Sequence, residues 1–169
     1  MRTIIRTSLL GLVLLTVAAP PGPAAAQGGD GPALEFLNPD GARGNRPFSE
    51  AVRVGDILYL SGKIGTVPGR GLAEGGVQAE TRAALDAIKA ALERYGSSME
   101  RVFKCLVILT DMADFGAMNE VYTSYFPGDK PARSAFAASG LAAGARVEIE
   151  CVAAVGEGRG GRTGAGGAR

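Results

Sequence analysis

Between Phe48 and Val155 the spacing of apolar residues switches between two and 3.6, and the order of the switches restricts the fold more than any other property of the chain. Phe48 to Val54 alternates in polarity, Gly55-Asp56 supplies turn chemistry, and Ile57 to Ser61 resumes the alternation, which predicts a β-hairpin. Ile64 to Gly76, rich in glycine, reads as a loop. Val77, Ala84, Leu85, Ile88, Leu92 and Tyr95 then share one helical face, with Glu80, Arg82, Asp86, Lys89 and Glu93 assigned to solvent and Gly96 as the stop. Val102 to Leu109 is apolar on both parities beyond Lys104, as in a strand covered on both faces. Asp111 can cap a second helix whose buried stripe is Phe115, Met118, Val121, Tyr122 and Tyr125, and Pro127-Gly128 ends it. Two extended segments follow, Ala132 to Ala138 and Arg146 to Val155. The order ββαβαββ predicts an α+β domain with two helices on one face of a sheet.

The last strand carries the most specific pattern. Val147, Ile149, Cys151, Ala153 and Val155 fall on one face, so Glu148 and Glu150 share the other, about 7 Å apart. With both helices on one side, the opposite face needs another cover, and a second copy of the chain is the economical one. A closed homo-oligomer with sites at its seams is therefore expected.

Composition removes several chemistries. The chain has no His, which excludes imidazole-based dyads, triads and His-ligated metal sites, and its two cysteines, Cys105 and Cys151, cannot form a four-thiolate site in one subunit. Both cysteines sit in apolar strand surroundings, as two small buried hydrophobes or as a cross-strand disulfide. Residues 1–26 read as a secretory signal peptide: Arg2 and Arg6, an apolar run from Leu9 to Ala19 too short to span a bilayer, and a small-x-small site at Ala24-Ala25-Ala26. Residues 27–33 read as a linker, 34–155 as the folded domain, and 156–169, in which seven of fourteen residues are Gly, as a disordered tail. An exported, periplasmic or secreted protein, free of the membrane once cleaved near Ala26, is expected. Without leader, linker and tail the chain keeps 13 basic and 15 acidic residues, not the basic footprint of a nucleic-acid partner.

Several motifs in register then point to a known family. Arg46-Pro47-Phe48-Ser49-Glu50-Ala51-Val52, Tyr59-Leu60-Ser61-Gly62, Leu109-Thr110-Asp111-Met112-Ala113-Asp114-Phe115, Asn119-Glu120-Val121-Tyr122, Pro131-Ala132-Arg133-Ser134 and Val147-Glu148-Ile149-Glu150 resemble the Rid (reactive intermediate deaminase, YjgF) family over about Phe36 to Val155. The resemblance implies a chorismate-mutase-like α+β homotrimer with clefts between subunits. It also implies hydrolysis of enamines or imines of 2-keto acids to the keto acid and ammonia, without metal or other cofactor. A trimer of the same fold that binds small carboxylates or a partner protein without turnover is the alternative. RNA cleavage, claimed for some relatives, is disfavoured by the missing His and the slightly acidic domain.

By the same resemblance Arg133 holds the substrate carboxylate, for which its planar fork of donors is suited, and Glu148 positions water. Read without the family, Arg133 is better taken as a structural ion-pair residue at a strand start, and the motif match reverses that preference. Asn119 and Gly62 match substrate-contacting positions, although Gly62 could equally serve a turn, and Glu150 reads as a salt-bridge or interface residue. Three positions depart from the family pattern. Ala135 stands where Cys is common and Phe48 where Tyr is common, leaving a ring wall without a hydroxyl. Lys63 replaces Gln, bringing positive charge to the cleft or ending a strand in solvent.

Overall fold

The computed structural model describes residues 31–39 and 47–156. The leader expected over 1–26 and the tail expected over 156–169 lie outside them, apart from Gly156. Of the linker 27–33 only 31–33 are described, exposed and without helix or strand. Strands β1 (Leu34–Leu37), β2 (Ala51–Val54), β3 (Ile57–Leu60), β4 (Lys63–Ile64), β5 (Thr66–Val67) and β6 (Gly71–Leu72) precede helix α1 (Gly76–Arg94). Strand β7 (Val102–Leu109), helix α2 (Phe115–Ser124), and strands β8 (Ala132–Ala137) and β9 (Val147–Ala154) follow. The α+β order ββαβαββ is therefore present as β2-β3-α1-β7-α2-β8-β9. Around it lie short pieces whose two to four residues are too few for a period to show: the N-terminal strand β1, and β4 with the β5–β6 hairpin inside the segment expected to be a loop.

The main sheet runs β1-β2-β3-β9-β7-β8, with β4 also paired to β9 beyond the end of β3. All pairs are antiparallel except β7 with β8. Gly55, at φ 56°, supplies the left-handed turn that pairs Val54 with Ile57. Gly96, at φ 78°, ends α1 by letting the Ser97 N–H donate to Leu92 O at 2.8 Å. One face of the sheet meets both helices. Val147, Ile149, Cys151 and Ala153 of β9 and Cys105, Val107 and Leu109 of β7 are completely buried there with Leu85, Ile88, Leu92 and Met118. Cys105 and Cys151 are direct partners across β7 and β9, with Cα atoms 4.2 Å apart, and are joined as a disulfide.

Glu80 corrects the helical reading. It is 4% exposed and accepts the Arg146 backbone N–H at 2.7 Å. Lying three residues after Val77 and four before Ala84, it belongs to the apolar stripe by spacing; only its charge had argued for solvent.

Among the described residues the opposite face carries no helix. Direct pairing aligns Phe36, Val52, Tyr59 and Val152 in one row and Ile64, Glu148, Ile108 and Phe136 in another. Phe36 is 57% exposed, Tyr59 48% and Phe136 48%. An uncovered apolar sheet face of this width is what the two-parity pattern of β7 anticipates.

Candidate active site

Arg133 lies on β8 opposite Cys105 and therefore projects to the helix side of the sheet. There its guanidinium carbon sits over the ring of Tyr122, 4.5 Å from the centroid, and 5.5 Å from that of Phe115, both on α2. Among the described residues it has no ion-pair partner and no hydrogen-bond acceptor, so the structural ion-pair reading is not what the fold builds. Phe115, Asn119 and Tyr122 occupy positions i, i+4 and i+7 of one helix stripe, which puts Asn119 between the two rings. The Asn119 side-chain oxygen and the Tyr122 hydroxyl are both buried without a hydrogen-bond partner among the described residues. Burial pushes the Tyr122 hydroxyl up to about 12, against the opposing pull of the Arg133 charge, so it is a neutral donor at any ordinary pH. Ala135, two residues beyond Arg133 on the same side, is half-buried against the core.

Glu148 lies on the other side. Its β9 position pairs with Ile108 and with Ile64, so it projects from the helix-free face. Its carboxylate rests on the backbone of Gly62, where a Cβ would collide with Oε1 and crowd Cδ and Cγ. Close approach, not turn geometry, is what Gly62 supplies. Phe48, 56% exposed, lines with Gly62 and Lys63 a groove of about 820 Å³ between the β4–β6 segment and α1. Glu150 is exposed on the same face as Glu148, opposite Leu106, and takes part in no salt bridge among the described residues.

Lys63 stands at the groove, but with its charge already paired. Its side chain, 18% exposed, donates at 2.8 Å to Glu50, a carboxylate that also accepts from Arg94 and from the Tyr95 hydroxyl, each at 2.7 Å. Burial alone would raise the Glu50 carboxyl, but the hydrogen bonds from Lys63 and Tyr95 and the charges of Lys63 and Arg94 outweigh it and hold the group below its ordinary 4.5. The positive charge is consumed inside the fold instead of being offered to the cleft. Sequence reasoning passed over Glu50 because one acidic residue in an alternating strand has no distinguishing spacing. It placed Phe115 and Tyr122 in the core stripe without seeing that Arg133 covers them, although their spacing about Asn119 was legible.

One chain thus gathers two half-sites. Arg133, Asn119 and Ala135 belong to the helix side, Glu148 and Gly62 to the bare side, and the sheet stands between the two predicted catalytic groups.

A mixed sheet with a single parallel pair, both helices on one side and an apolar face left open, defines an α+β protein of the YjgF type. The chain belongs to the Rid (reactive intermediate deaminase, YjgF) family: the family model described as Endoribonuclease L-PSP matches residues 42–155. It is 43% identical over 111 residues to the 2-iminobutanoate/2-iminopropanoate deaminase of Mus musculus, covering 65% of this chain and 82% of that one. Among solved structures it superposes on the Rid-family protein YyfA from Yersinia pestis with TM-score 0.66 at 35% identity, covering 73% of this chain and 100% of that chain. E. coli TdcF with bound serine gives TM-score 0.62 at 31% identity, covering 66% and 90%.

Proposed function

We propose that this protein hydrolyses 2-imino acids, and the enamines that tautomerise to them, to 2-keto acids and ammonia. The observation that carries the reading is Arg133, a guanidinium with every donor free among the described residues, held over aromatic rings in a chain similar to named imine deaminases. A serine-bound relative of the same fold adds that an amino-acid-sized ligand fits such a scaffold.

In this mechanism Arg133 binds the substrate carboxylate through paired N–H donors, which fixes the imine carbon and draws electron density from it. Glu148 accepts a proton from water as the oxygen adds to the imine carbon and the imine nitrogen takes up a proton. In the resulting carbinolamine the Glu148 carboxyl returns its proton to the amine nitrogen, and as the C–N bond breaks and ammonia leaves the hydroxyl proton passes to solvent, replacing the one the imine nitrogen took up, so that the carbonyl forms. Water supplies the oxygen of the keto acid, and no electrons change hands. Because Arg133 and Glu148 face opposite sides of one sheet, each site takes Arg133 from one copy and Glu148 from another. The open face, with Phe36, Tyr59 and Phe136, supplies the contact, in a closed homotrimer.

The non-catalytic carboxylate-binding reading shares Arg133 but leaves Glu148 against Gly62 without a role, and the names of the relatives favour turnover. RNA cleavage gains nothing from a domain with 13 basic and 15 acidic residues. An exported location fits the buried disulfide, which persists in oxidising compartments; the N-terminal mass of the exported protein tests it, an intact Met1 end counting against it.

The functional test is ammonia release, above the spontaneous rate, from imine generated in situ by threonine dehydratase. Arg133→Ala should lower kcat/KM by about 100-fold or more, the loss expected for a charge-assisted bidentate contact. Wild type indistinguishable from Arg133→Ala would refute the proposal.

A further inference from the structure

An arginine that must greet an anion faces a conflict. Left in solvent its long side chain samples many rotamers, and tied to a carboxylate its charge is already spent. Arg133 avoids both states. Its guanidinium lies over Tyr122 at 4.5 Å and near Phe115 at 5.5 Å, and neither ring takes a hydrogen bond from it or carries a formal charge.

The Tyr122 ring is itself packed into the core. It is 3% exposed, packs tilted against Phe126 with centroids 4.8 Å apart, and its hydroxyl, neutral at ordinary pH, is enclosed. A cation held over an aromatic ring, with no hydrogen-bond acceptor among the described residues, keeps its N–H donors for a ligand. From this geometry we infer that Tyr122, assisted by Phe115, is a positioning residue for Arg133, acting through its ring and not through its hydroxyl. The inference rests on the reading above that Arg133 binds the substrate carboxylate. Pre-organising the fork lowers the ordering cost of each binding event, so the effect belongs in substrate affinity and not in the turnover of bound substrate.

The test compares Tyr122→Phe, Tyr122→Leu, Phe115→Leu and Arg133→Ala in the full-length protein. KM and kcat for imine hydrolysis are measured, together with calorimetric binding of 2-ketobutanoate, a stable carboxylate that reports on Arg133 without turnover. Tyr122→Phe, which keeps the ring, should stay within about twofold of wild type in KM and in ketobutanoate affinity. Tyr122→Leu should raise KM and weaken ketobutanoate by about tenfold while kcat changes less than about threefold. Phe115→Leu should do the same to a smaller degree, and it decides the matter on a half-buried site if Tyr122→Leu fails to fold. If Arg133→Ala leaves both KM and ketobutanoate binding unchanged, the underlying reading falls. If Arg133→Ala weakens both while Tyr122→Leu and Phe115→Leu do not, the positioning inference alone falls. A loss confined to kcat or to melting temperature, or a Tyr122→Phe defect equal to that of Tyr122→Leu, overturns it as well.

Discussion

Single residues differ in what each side chain has left to offer once the fold has used it. Lys63 and Arg133 are both cations in the region expected to form a cleft, and periodicity and composition alone do not tell them apart. The structure spends Lys63 on Glu50 and leaves Arg133 free among the described residues. The pairing state of each is not written in its own segment, because it arises from a partner 13 residues away for Lys63 and from a helix for Arg133. Gly62 is a case where the sequence identifies the position but not its reason. Since Gly62→Ala would strike the far end of the Glu148 side chain, the chain should fold normally with its carboxylate displaced. kcat should drop by about 10- to 100-fold with little change in melting temperature, as a misplacement near 1 Å can cost that much. An unaltered kcat would remove Glu148 from the reaction.

Between elements, two devices tie distant segments together, one left open by the sequence and one not foreseen. Cys105 and Cys151 face each other across β7 and β9, and the sequence left open whether they merely pack or are bonded, since strand register is a tertiary property. The bond closes a separation of 46 residues, for which chain entropy gives up to about 4 kcal/mol. Denaturant midpoints for oxidised protein and for protein reduced while unfolded should differ accordingly. Coincident midpoints, or two labelled thiols in the unfolded, unreduced chain, would contradict the bond. The second device, Glu50, joins the start of β2 to β4 and to the end of α1 through Lys63, Arg94 and Tyr95. Its carboxyl is held below 4.5 in the fold, so the unfolded chain takes up that proton first as acid is added. The stabilisation is complete above about pH 4.5 and is lost as pH falls through the lower, folded value. Melting curves from about pH 6 down to about pH 3 should show a steeper acid loss for wild type than for Glu50→Gln; parallel curves would count against the cluster.

For the whole molecule, the order ββαβαββ, the two-helix face and the bare opposite face were legible because each element of that order lies in a patterned run of at least five residues. β1, β4 and the β5–β6 hairpin were not, since two to four residues carry no period. The two predicted catalytic groups were identified from motifs, yet their placement on opposite sides of one sheet depends on the registers Arg133–Cys105 and Glu148–Ile108, which only the assembled fold defines. That placement makes the central claim testable without knowing the physiological substrate. Arg133→Ala and Glu148→Gln, each nearly inactive alone, are coexpressed with separable tags, and mixed oligomers are isolated and assayed for imine hydrolysis. A site that draws its Arg from one copy and its Glu from the next should be intact at one of the three seams of each mixed trimer, restoring about a third of wild-type activity. Mixed oligomers no more active than the separate variants would show that no site is shared between copies in this way.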